Sequence, residues 1–211
     1  MSVKPLGVIL AGGLARRMGG GDKSMLRLSG HSILQHVINR AAPQCSGLII
    51  NANGDPARFA EFGLPVVADV IPDHAGPLAG VLSGMDWAAN NTSTNWIVTL
   101  AADTPFIPRD LVERLESQMA EEGAELACAK SNGRTFPVCG LWPHHLAEDL
   151  RRAMIEEDMR KVDMWTARHK LSEVEFSSDP VDPFFNVNRP EDMARAETLS
   201  KLLNTAHNHV S

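Results

Sequence analysis

The sequence predicts an α/β protein: a single three-layer domain with a mostly parallel sheet and helices on both faces. Two observations support this prediction. Short apolar runs alternate with segments of helical period along the first half of the chain, the pattern of parallel strands joined by crossover helices. In addition, a length of 211 residues suits one sizeable domain better than two. We place this domain at residues 1–204 and expect residues 205–211 to form a disordered tail.

The strands predicted in the first half are apolar runs that end in polar residues. They cover residues 6–10, 47–53, 65–69 and 96–103. The last run is continuously apolar, which is typical of a central strand buried on both faces. Parallel strands end at one edge of their sheet, where α/β folds place ligands. The polar residues at these strand ends are therefore expected to lie together.

Helices are predicted between these strands from apolar periodicity and from start and stop residues. The first begins at a capping-box pair, Ser32 and Gln35, and ends before Pro43. The second half of the chain is less regular. The predicted helices cover residues 32–41, 55–62, 78–90, 108–123, 144–157 and 190–204, and the later strands cover 126–129, 136–142 and 174–176.

Composition limits the possible partners and the compartment. The formal net charge is −6, which argues against a nucleic-acid backbone or an anionic membrane as the main partner. The three cysteines lack metal-type Cys-x-x-Cys spacing, so we expect reduced thiols. Because the sequence shows neither a signal peptide nor an apolar run of membrane-spanning length, a cytoplasmic protein is expected. We also expect it to be a monomer.

A glycine-rich segment follows the first predicted strand. Residues 10–23 contain five glycines, two arginines and a lysine, and glycine leaves backbone N–H groups open to bind phosphates. The segment is not a P-loop, because Asp22 stands where that motif requires glycine. It is not a dinucleotide fingerprint either, because Gly12 and Gly13 are adjacent and the next glycine is Gly19. A glycine-rich connection with solvated arginines is the alternative.

The remaining pattern, Leu-Ala-Gly-Gly-x-Ala-Arg-Arg-Met-Gly-Gly-x-Asp-Lys, resembles the signature of nucleotidyltransferases, and most of all that of the MobA-like molybdenum cofactor guanylyltransferases. The resemblance implies a Rossmann-like domain of the nucleotide-diphospho-sugar transferase type. It also implies an enzyme that uses GTP and Mg²⁺, transfers GMP to the phosphate of Mo-molybdopterin and releases pyrophosphate. The expected protein partners are molybdenum-insertion proteins or apo-molybdoenzymes, in transient contact.

Asp103 is the candidate metal ligand. It ends the most apolar predicted strand and begins the sequence Asp-Thr-Pro-Phe-Ile-Pro. A carboxylate in this place is suited to hold Mg²⁺, which prefers oxygen ligands, and it is equally suited to cap the following turn. The resemblance favours the metal, since the family has a metal-binding aspartate in a similar motif after the corresponding strand.

Two cations and several strand ends complete the predicted nucleotide site. Lys23 and Arg17 are expected to offset phosphate charge in the transition state. The resemblance implies that Asn51 and Asp69 contact GTP, and that the glycines at 76 and 80 let the backbone approach the base. The full predicted nucleotide-binding set is Leu10, Ala11, Gly12, Gly13, Lys23, Asn51, Asp69, Gly76, Leu78, Gly80 and Asp103.

The acceptor is expected near Asn186 and Asn188. The sequence Asn-Val-Asn-Arg-Pro-Glu-Asp resembles the family ending Asn-x-Asn-Thr-Pro-Glu-Asp, in which the asparagines serve near the metal and the pterin. Arg189 replaces the usual threonine and is a poor N-cap residue. Either Asn188 caps the last helix in a shifted frame, or Arg189 faces an anionic group.

Other functions stay open on the sequence. The nearest alternative is a related nucleotidyltransferase that uses CTP, with a pterin or an alcohol phosphate as the acceptor. A catalytically idle adaptor that binds nucleotide and pterin is the alternative from a different class. A glycosyltransferase is more distant, because the Asp-x-Asp metal motif is absent at Asp103.

Overall fold

The computed structural model describes residues 3–12, 23–72 and 76–208. The strands are β1 (Leu6–Leu10), β2 (Arg27–Leu28), β3 (His31–Ser32), β4 (Gly47–Asn51), β5 (Val66–Val67), β6 (Trp96–Ala101), β7 (Leu126–Ser131), β8 (Arg134–Pro143) and β9 (Leu171–Phe176). The α-helices are α1 (Ile33–Ala41), α2 (Pro77–Asn91), α3 (Leu111–Glu122), α4 (Ala147–Glu156), α5 (Val162–Thr166) and α6 (Pro190–Asn208). Short 3-10 helices cover Lys23–Met25, Ala42–Gln44, Pro56–Phe62 and His144–Leu146.

The central sheet has seven strands in the order β5-β4-β1-β6-β8-β7-β9. Strand β8 runs antiparallel to its neighbours β6 and β7, and every other pairing in the sheet is parallel. In the ladder, Leu10 is level with Asn51 on one side and with Ala101 on the other. The mostly parallel sheet predicted from the sequence is therefore confirmed, and three of its strands end together at one edge.

Helices cover both faces of this sheet, as predicted. Val8 of β1 packs in the cluster that contains Leu78 and other residues of α2, whereas Ile9 packs in the cluster that contains Leu34 of α1 and Leu115 of α3. Successive side chains of a strand point to opposite faces, so β1 is buried on both. This arrangement is the expected three-layer architecture.

The first helix begins as the capping-box pattern predicts, although only half of the box forms. The Oγ of Ser32 accepts the N–H of Gln35 at 3.1 Å. The Gln35 side chain does not return to Ser32; it donates to Oδ1 of Asn39 at 2.9 Å. One hydrogen bond therefore fixes the start of α1.

The second half of the chain differs most from the sequence prediction. Strand β9 spans six residues, not the predicted three, because the polar pair Ser172 and Glu173 separates Leu171 from the apolar residues that follow. Strand β8 contains Pro137, which lies where the register with β7 shifts, a place that tolerates proline. Helix α6 continues to Asn208, so residues 205–208 of the expected tail are helical. Across the described ranges, no helix is long and apolar enough to cross a membrane.

Candidate active site

The chain that leaves β1 is held between two neighbouring strands. The N–H of Ala11 donates to the carbonyl of Asn51 at 2.9 Å, and the carbonyl of Leu10 accepts the N–H of Ala102 at 3.2 Å. Gly12 follows and is exposed at this edge of the sheet. Gly13 and Arg17 lie outside the described residues. Lys23 begins a 3-10 helix, and its side chain also lies outside them.

Asn51 and Asp69 are brought together at the ends of β4 and β5. The Nδ2 of Asn51 donates to Oδ1 of Asp69 at 2.9 Å and to the carbonyl of Val67 at 3.1 Å. Asn53 adds two bonds: its Nδ2 donates to Oδ2 of Asp69 at 2.7 Å, and its Oδ1 accepts the N–H of Asp69 at 2.9 Å. Two acceptors on one nitrogen fix the orientation of the Asn51 amide. Asn53 is not among the site residues predicted from the sequence.

The start of α2 approaches this network closely. A Cβ at Gly80 would lie 2.3 Å from Oδ1 of Asn51 and 2.6 Å from Cδ2 of Leu10, so only glycine fits there without displacing the strand ends. Gly76 has φ 137°, a conformation that side-chain-bearing residues rarely adopt. The side chain of Leu78 is 1% exposed and lies in the core. A ligand could therefore contact Leu78 only through its backbone atoms.

Asp103 lies beside the two asparagines that the sequence places near the acceptor. It follows β6 by two residues and is half-buried. Its backbone carbonyl accepts the N–H of Val187 at 3.0 Å. Val187 is fully buried, and its exposed neighbours Asn186 and Asn188 flank it. One backbone hydrogen bond thus brings two predicted sites together.

A carboxylate from within α6 stabilises the start of this helix. Oδ2 of Asp192 accepts the N–H of Asn188 and the N–H of Arg189, each at 2.8 Å. Asp192 is the third residue of α6, and its carboxylate accepts backbone N–H groups that have no partner within the helix. The poor capping ability of Arg189 is therefore compensated, and its exposed side chain lines a cleft.

That cleft has a volume of about 850 Å³ and lies beside Asn186 and Asn188. Its other wall includes Ser131, Arg134 and Phe136 of the β7–β8 hairpin, none of which is among the residues predicted from the sequence. The sequence does carry a signal for this hairpin. Residues 132–133 are Asn-Gly, with φ of 50° and 72°, and this pair favours the tight turns of β-hairpins.

The three cysteines are buried and free. Burial raises the pKa of each thiol from 9.0 to about 12, because a thiolate is poorly solvated in an apolar core. At Cys139 the negative charge of nearby Asp103 adds to this effect on the pKa. All three thiols are therefore protonated at neutral pH, and none is a nucleophile for the site.

These thiols should make the protein less stable in alkali. An unfolded thiol ionises above pH 9, whereas the folded one keeps its proton to about pH 12. The free energy of unfolding should therefore fall as pH rises through this window, by at most about 1.4 kcal/mol per pH unit for each thiol. Urea denaturation from pH 7 to 11 measures this slope. A variant with all three cysteines changed to alanine should show a shallower slope, and equal slopes would contradict buried, protonated thiols.

Taken together, these features define a class of protein. A mostly parallel sheet carries at one edge a glycine-containing exit from β1, an amide–carboxylate network, and an aspartate beside a cleft. Ligand sites at the carboxyl ends of parallel strands are the general rule for α/β sheets. The chain is thus an α/β domain with a two-part candidate ligand site at the strand ends.

The family model described as the MobA-like NTP transferase domain matches residues 7–172. The chain belongs to this family, and its enzyme class is nucleotidyltransferase. A relative from Nitrobacter hamburgensis, named molybdenum cofactor guanylyltransferase, is 56% identical over 197 residues, which cover 93% of this chain and 94% of that one.

Solved structures with the same fold are more distant in sequence. Molybdopterin-guanine dinucleotide biosynthesis protein A from Archaeoglobus fulgidus has a TM-score of 0.70 at 22% identity and covers 93% of this chain and 98% of its own. A manganese complex of Rv0371C from Mycobacterium tuberculosis has a TM-score of 0.66 at 16% identity and covers 93% and 99%. At these identities, the likeness establishes the fold alone.

Proposed function

We propose that this enzyme transfers GMP from GTP to the phosphate of Mo-molybdopterin, releasing pyrophosphate and forming molybdopterin guanine dinucleotide. The observation that carries the proposal is the position of Asp103. It lies between the network at the ends of β1, β4 and β5 and the cleft beside Asn186 and Asn188. A donor nucleotide on one side and an acceptor on the other would meet at this aspartate. The name of the Nitrobacter hamburgensis relative supports the same reaction.

The chemistry needs no covalent intermediate on the protein. An oxygen of the acceptor phosphate forms a bond to the α-phosphorus of GTP, while the bond from that phosphorus to the α–β bridging oxygen breaks. Pyrophosphate leaves with the electron pair of the broken bond. The protein contributes positioning and charge neutralisation, in agreement with protonated, buried thiols.

Asp103 fits a Mg²⁺ ion that is shared with the substrate. Within the described residues, no three acidic, histidine or cysteine side chains converge. This arrangement suits Mg²⁺, which is commonly held by one or two carboxylates together with substrate phosphates and water. When bound, the ion would supply Lewis-acid stabilisation of phosphate charge. The manganese complex of the Mycobacterium tuberculosis protein supports a divalent cation on this fold.

The remaining residues divide between the two substrates. Lys23, Arg17 and the backbone of residues 10–13 would hold the phosphates of GTP. Asn51 and Asp69 would bind the nucleoside, with Gly76, Leu78 and Gly80 presenting backbone to the base. Asn186 and Asn188 would orient the acceptor.

We further propose that the enzyme acts in the cytoplasm as a monomer and hands its product to molybdenum-insertion proteins or apo-molybdoenzymes in transient contacts. The three free, buried thiols suit a reducing compartment. An acidic chain with a net charge of −6 suits neither nucleic acid nor an anionic membrane as a partner.

A transfer assay with two nucleotides tests the proposal. The purified protein is incubated with Mo-molybdopterin, Mg²⁺ and either GTP or CTP. Pyrophosphate is measured enzymatically, and the pterin product by mass spectrometry. We expect equimolar pyrophosphate and guanine dinucleotide with GTP, and a much slower reaction with CTP. A preference for CTP would support a cytidylyltransferase, and GTP binding without pyrophosphate release would support an adaptor.

A further inference from the structure

The β7–β8 hairpin forms a wall of the cleft at the same sheet edge as Asp103. The carboxyl end of β7 and the amino end of β8 meet there, since β8 is antiparallel to β6 and β7. Thr99 of β6 pairs with Gly140 of β8. Cys128 of β7 pairs with the same glycine, and three residues further along β6 and β7 bring Ala102, next to Asp103, about level with Ser131 and its partner Arg134. The hairpin therefore stands next to the proposed reaction centre, on the acceptor side.

Three side chains of the hairpin share one face. Ser131 pairs directly with Arg134, and Ala129 pairs with Phe136. Paired residues of adjacent strands project to the same side, as do residues two apart on one strand. Ser131, Arg134 and Phe136 therefore lie together on the cleft wall, as the lining of the cleft also indicates.

The Ser131 hydroxyl is buried with no hydrogen-bond partner in the described part of the chain. The residue is 1% exposed, and its Oγ makes no bond there. Buried hydroxyls in folded proteins are normally hydrogen-bonded, and an unpaired one is costly. An unpaired hydroxyl in the wall of a cleft indicates that a ligand in the cleft supplies the missing hydrogen-bond partner.

Arg134 is a cation held in position by aromatic rings. Its guanidinium lies 5.1 Å from the centroid of Phe136, which itself stacks on Phe184 at 4.8 Å. Stacking occupies the face of the guanidinium and leaves its in-plane N–H donors available. No ion pair of Arg134 is found within residues 3–12, 23–72 and 76–208. The charge is thus pre-positioned for an anion.

The acidic residues of the cleft are already engaged by backbone groups. Oδ1 of Asp182 accepts the N–H of Phe184 at 3.0 Å, and Oδ2 of Asp192 caps the start of α6. Arg189 lines the same cleft, so two arginines face it. The carboxylates thus already accept backbone N–H groups, whereas the guanidinium of Arg134 makes no ion pair in the described part of the chain, and Phe136 beside it offers apolar surface. A ligand with an anionic group on an apolar body matches this pair of side chains.

We propose that Arg134 and Ser131 bind the phosphate monoester of the acceptor, Arg134 through two parallel charge-assisted hydrogen bonds and Ser131 through its hydroxyl. The proposal rests on the proposed function and adds the residues that select a phosphorylated acceptor. A planar guanidinium fork matches the geometry of a phosphate. Phe136 provides apolar surface beside it for the pterin.

Steady-state kinetics on the full chain test this assignment. In Arg134→Ala, the KM for Mo-molybdopterin should rise about tenfold to a hundredfold, the equivalent of one charge-assisted bond, while the KM for GTP stays within about twofold. Arg134→Lys should lie between this variant and the unmodified enzyme, because lysine keeps the charge but not the fork. Arg152→Ala is the matched control, since Arg152 is exposed and pairs with Asp149 on α4, outside the cleft.

Two further measurements identify the contact. Molybdopterin freed of its phosphate by phosphatase should inhibit the unmodified enzyme and Arg134→Ala with equal inhibition constants, because the proposed contact is to the phosphate. Ser131→Ala should raise the acceptor KM several-fold without lowering the melting temperature, since the hydroxyl has no partner to lose in the described part of the chain.

The proposal is overturned if Arg134→Ala leaves the acceptor KM unchanged, or if the dephosphorylated inhibitor is weakened as much as the substrate. Both outcomes can be observed only if the unmodified enzyme is active. They would reject the role of Arg134 and Ser131 but not the proposed GMP transfer. No transfer by the unmodified enzyme would overturn the proposed function and this inference with it, and that result is recognised because the enzyme and every variant are then equally inactive.

Discussion

Asp103→Ala should reduce kcat/KM for GMP transfer at least about a thousandfold, the equivalent of roughly 4 kcal/mol of transition-state stabilisation, and leave the fold intact. The reason is positional. Asp103 follows the central strand β6, and its backbone carbonyl anchors Val187 between the two acceptor-side asparagines. The backbone bond survives the substitution, so the loss should come from the carboxylate alone. Initial rates over a range of Mg²⁺ concentrations measure the effect, and circular dichroism checks the fold.

Two variants separate the charge of Asp103 from its shape. Asp103→Asn keeps the side-chain size and should be nearly as inactive as the alanine variant, because a neutral amide is a weak Mg²⁺ ligand. Asp110→Ala is the matched control: Asp110 is exposed and makes no side-chain hydrogen bond at the start of α3. It should keep normal activity. Normal turnover of Asp103→Ala at saturating Mg²⁺ would rule out the metal-binding role.

The sequence predicts the half of the fold in which each strand is apolar throughout. Strand β6 is continuously apolar because it is buried on both faces, and its position was predicted to within two residues. Strand β9 pairs with β7 at the border of the sheet and exposes Glu173 and Glu175, so two of its six residues carry no burial signal. The sequence signal fails where a strand faces water on one side.

The site divides in a similar way. Residues that end parallel strands, such as Asn51 and Asp69, were predicted as neighbours because topology alone brings strand ends together. Ser131 and Arg134 could not be found from strand ends, since they belong to an antiparallel hairpin whose place in the sheet depends on β8 pairing with β6. The contact of Asp103 with Val187 is likewise set by tertiary structure. The family resemblance supplied Asn186 and Asn188, but their distance from Asp103 required the fold.

Gly80→Ala should weaken GTP binding about tenfold, the equivalent of roughly 1.4 kcal/mol, because it displaces the amide that organises the nucleotide side. A Cβ there would lie 2.3 Å from Oδ1 of Asn51. Asn51 cannot simply turn away, since its Nδ2 is bound to Asp69 and to the carbonyl of Val67. The helix-forming preference of alanine over glycine, about 1 kcal/mol, offsets part of the strain of overpacking, about 1–3 kcal/mol. A small net loss of stability is expected.

Gly84→Ala, one turn along α2, is the matched control for this prediction. A Cβ at Gly84 would lie 2.7 Å from Cγ2 of Val8, inside the core and away from the strand ends. Both variants place a Cβ closer than 3.0 Å to a neighbouring side chain, so urea denaturation should show a loss of stability in each, and a smaller one for Gly84→Ala. Only Gly80→Ala reaches Asn51, so calorimetric titration should show weaker GTP binding for that variant alone. If the two variants bind GTP equally well, the Asn51–Asp69 network is not part of the nucleotide site, and the fit of α2 against it serves the fold only.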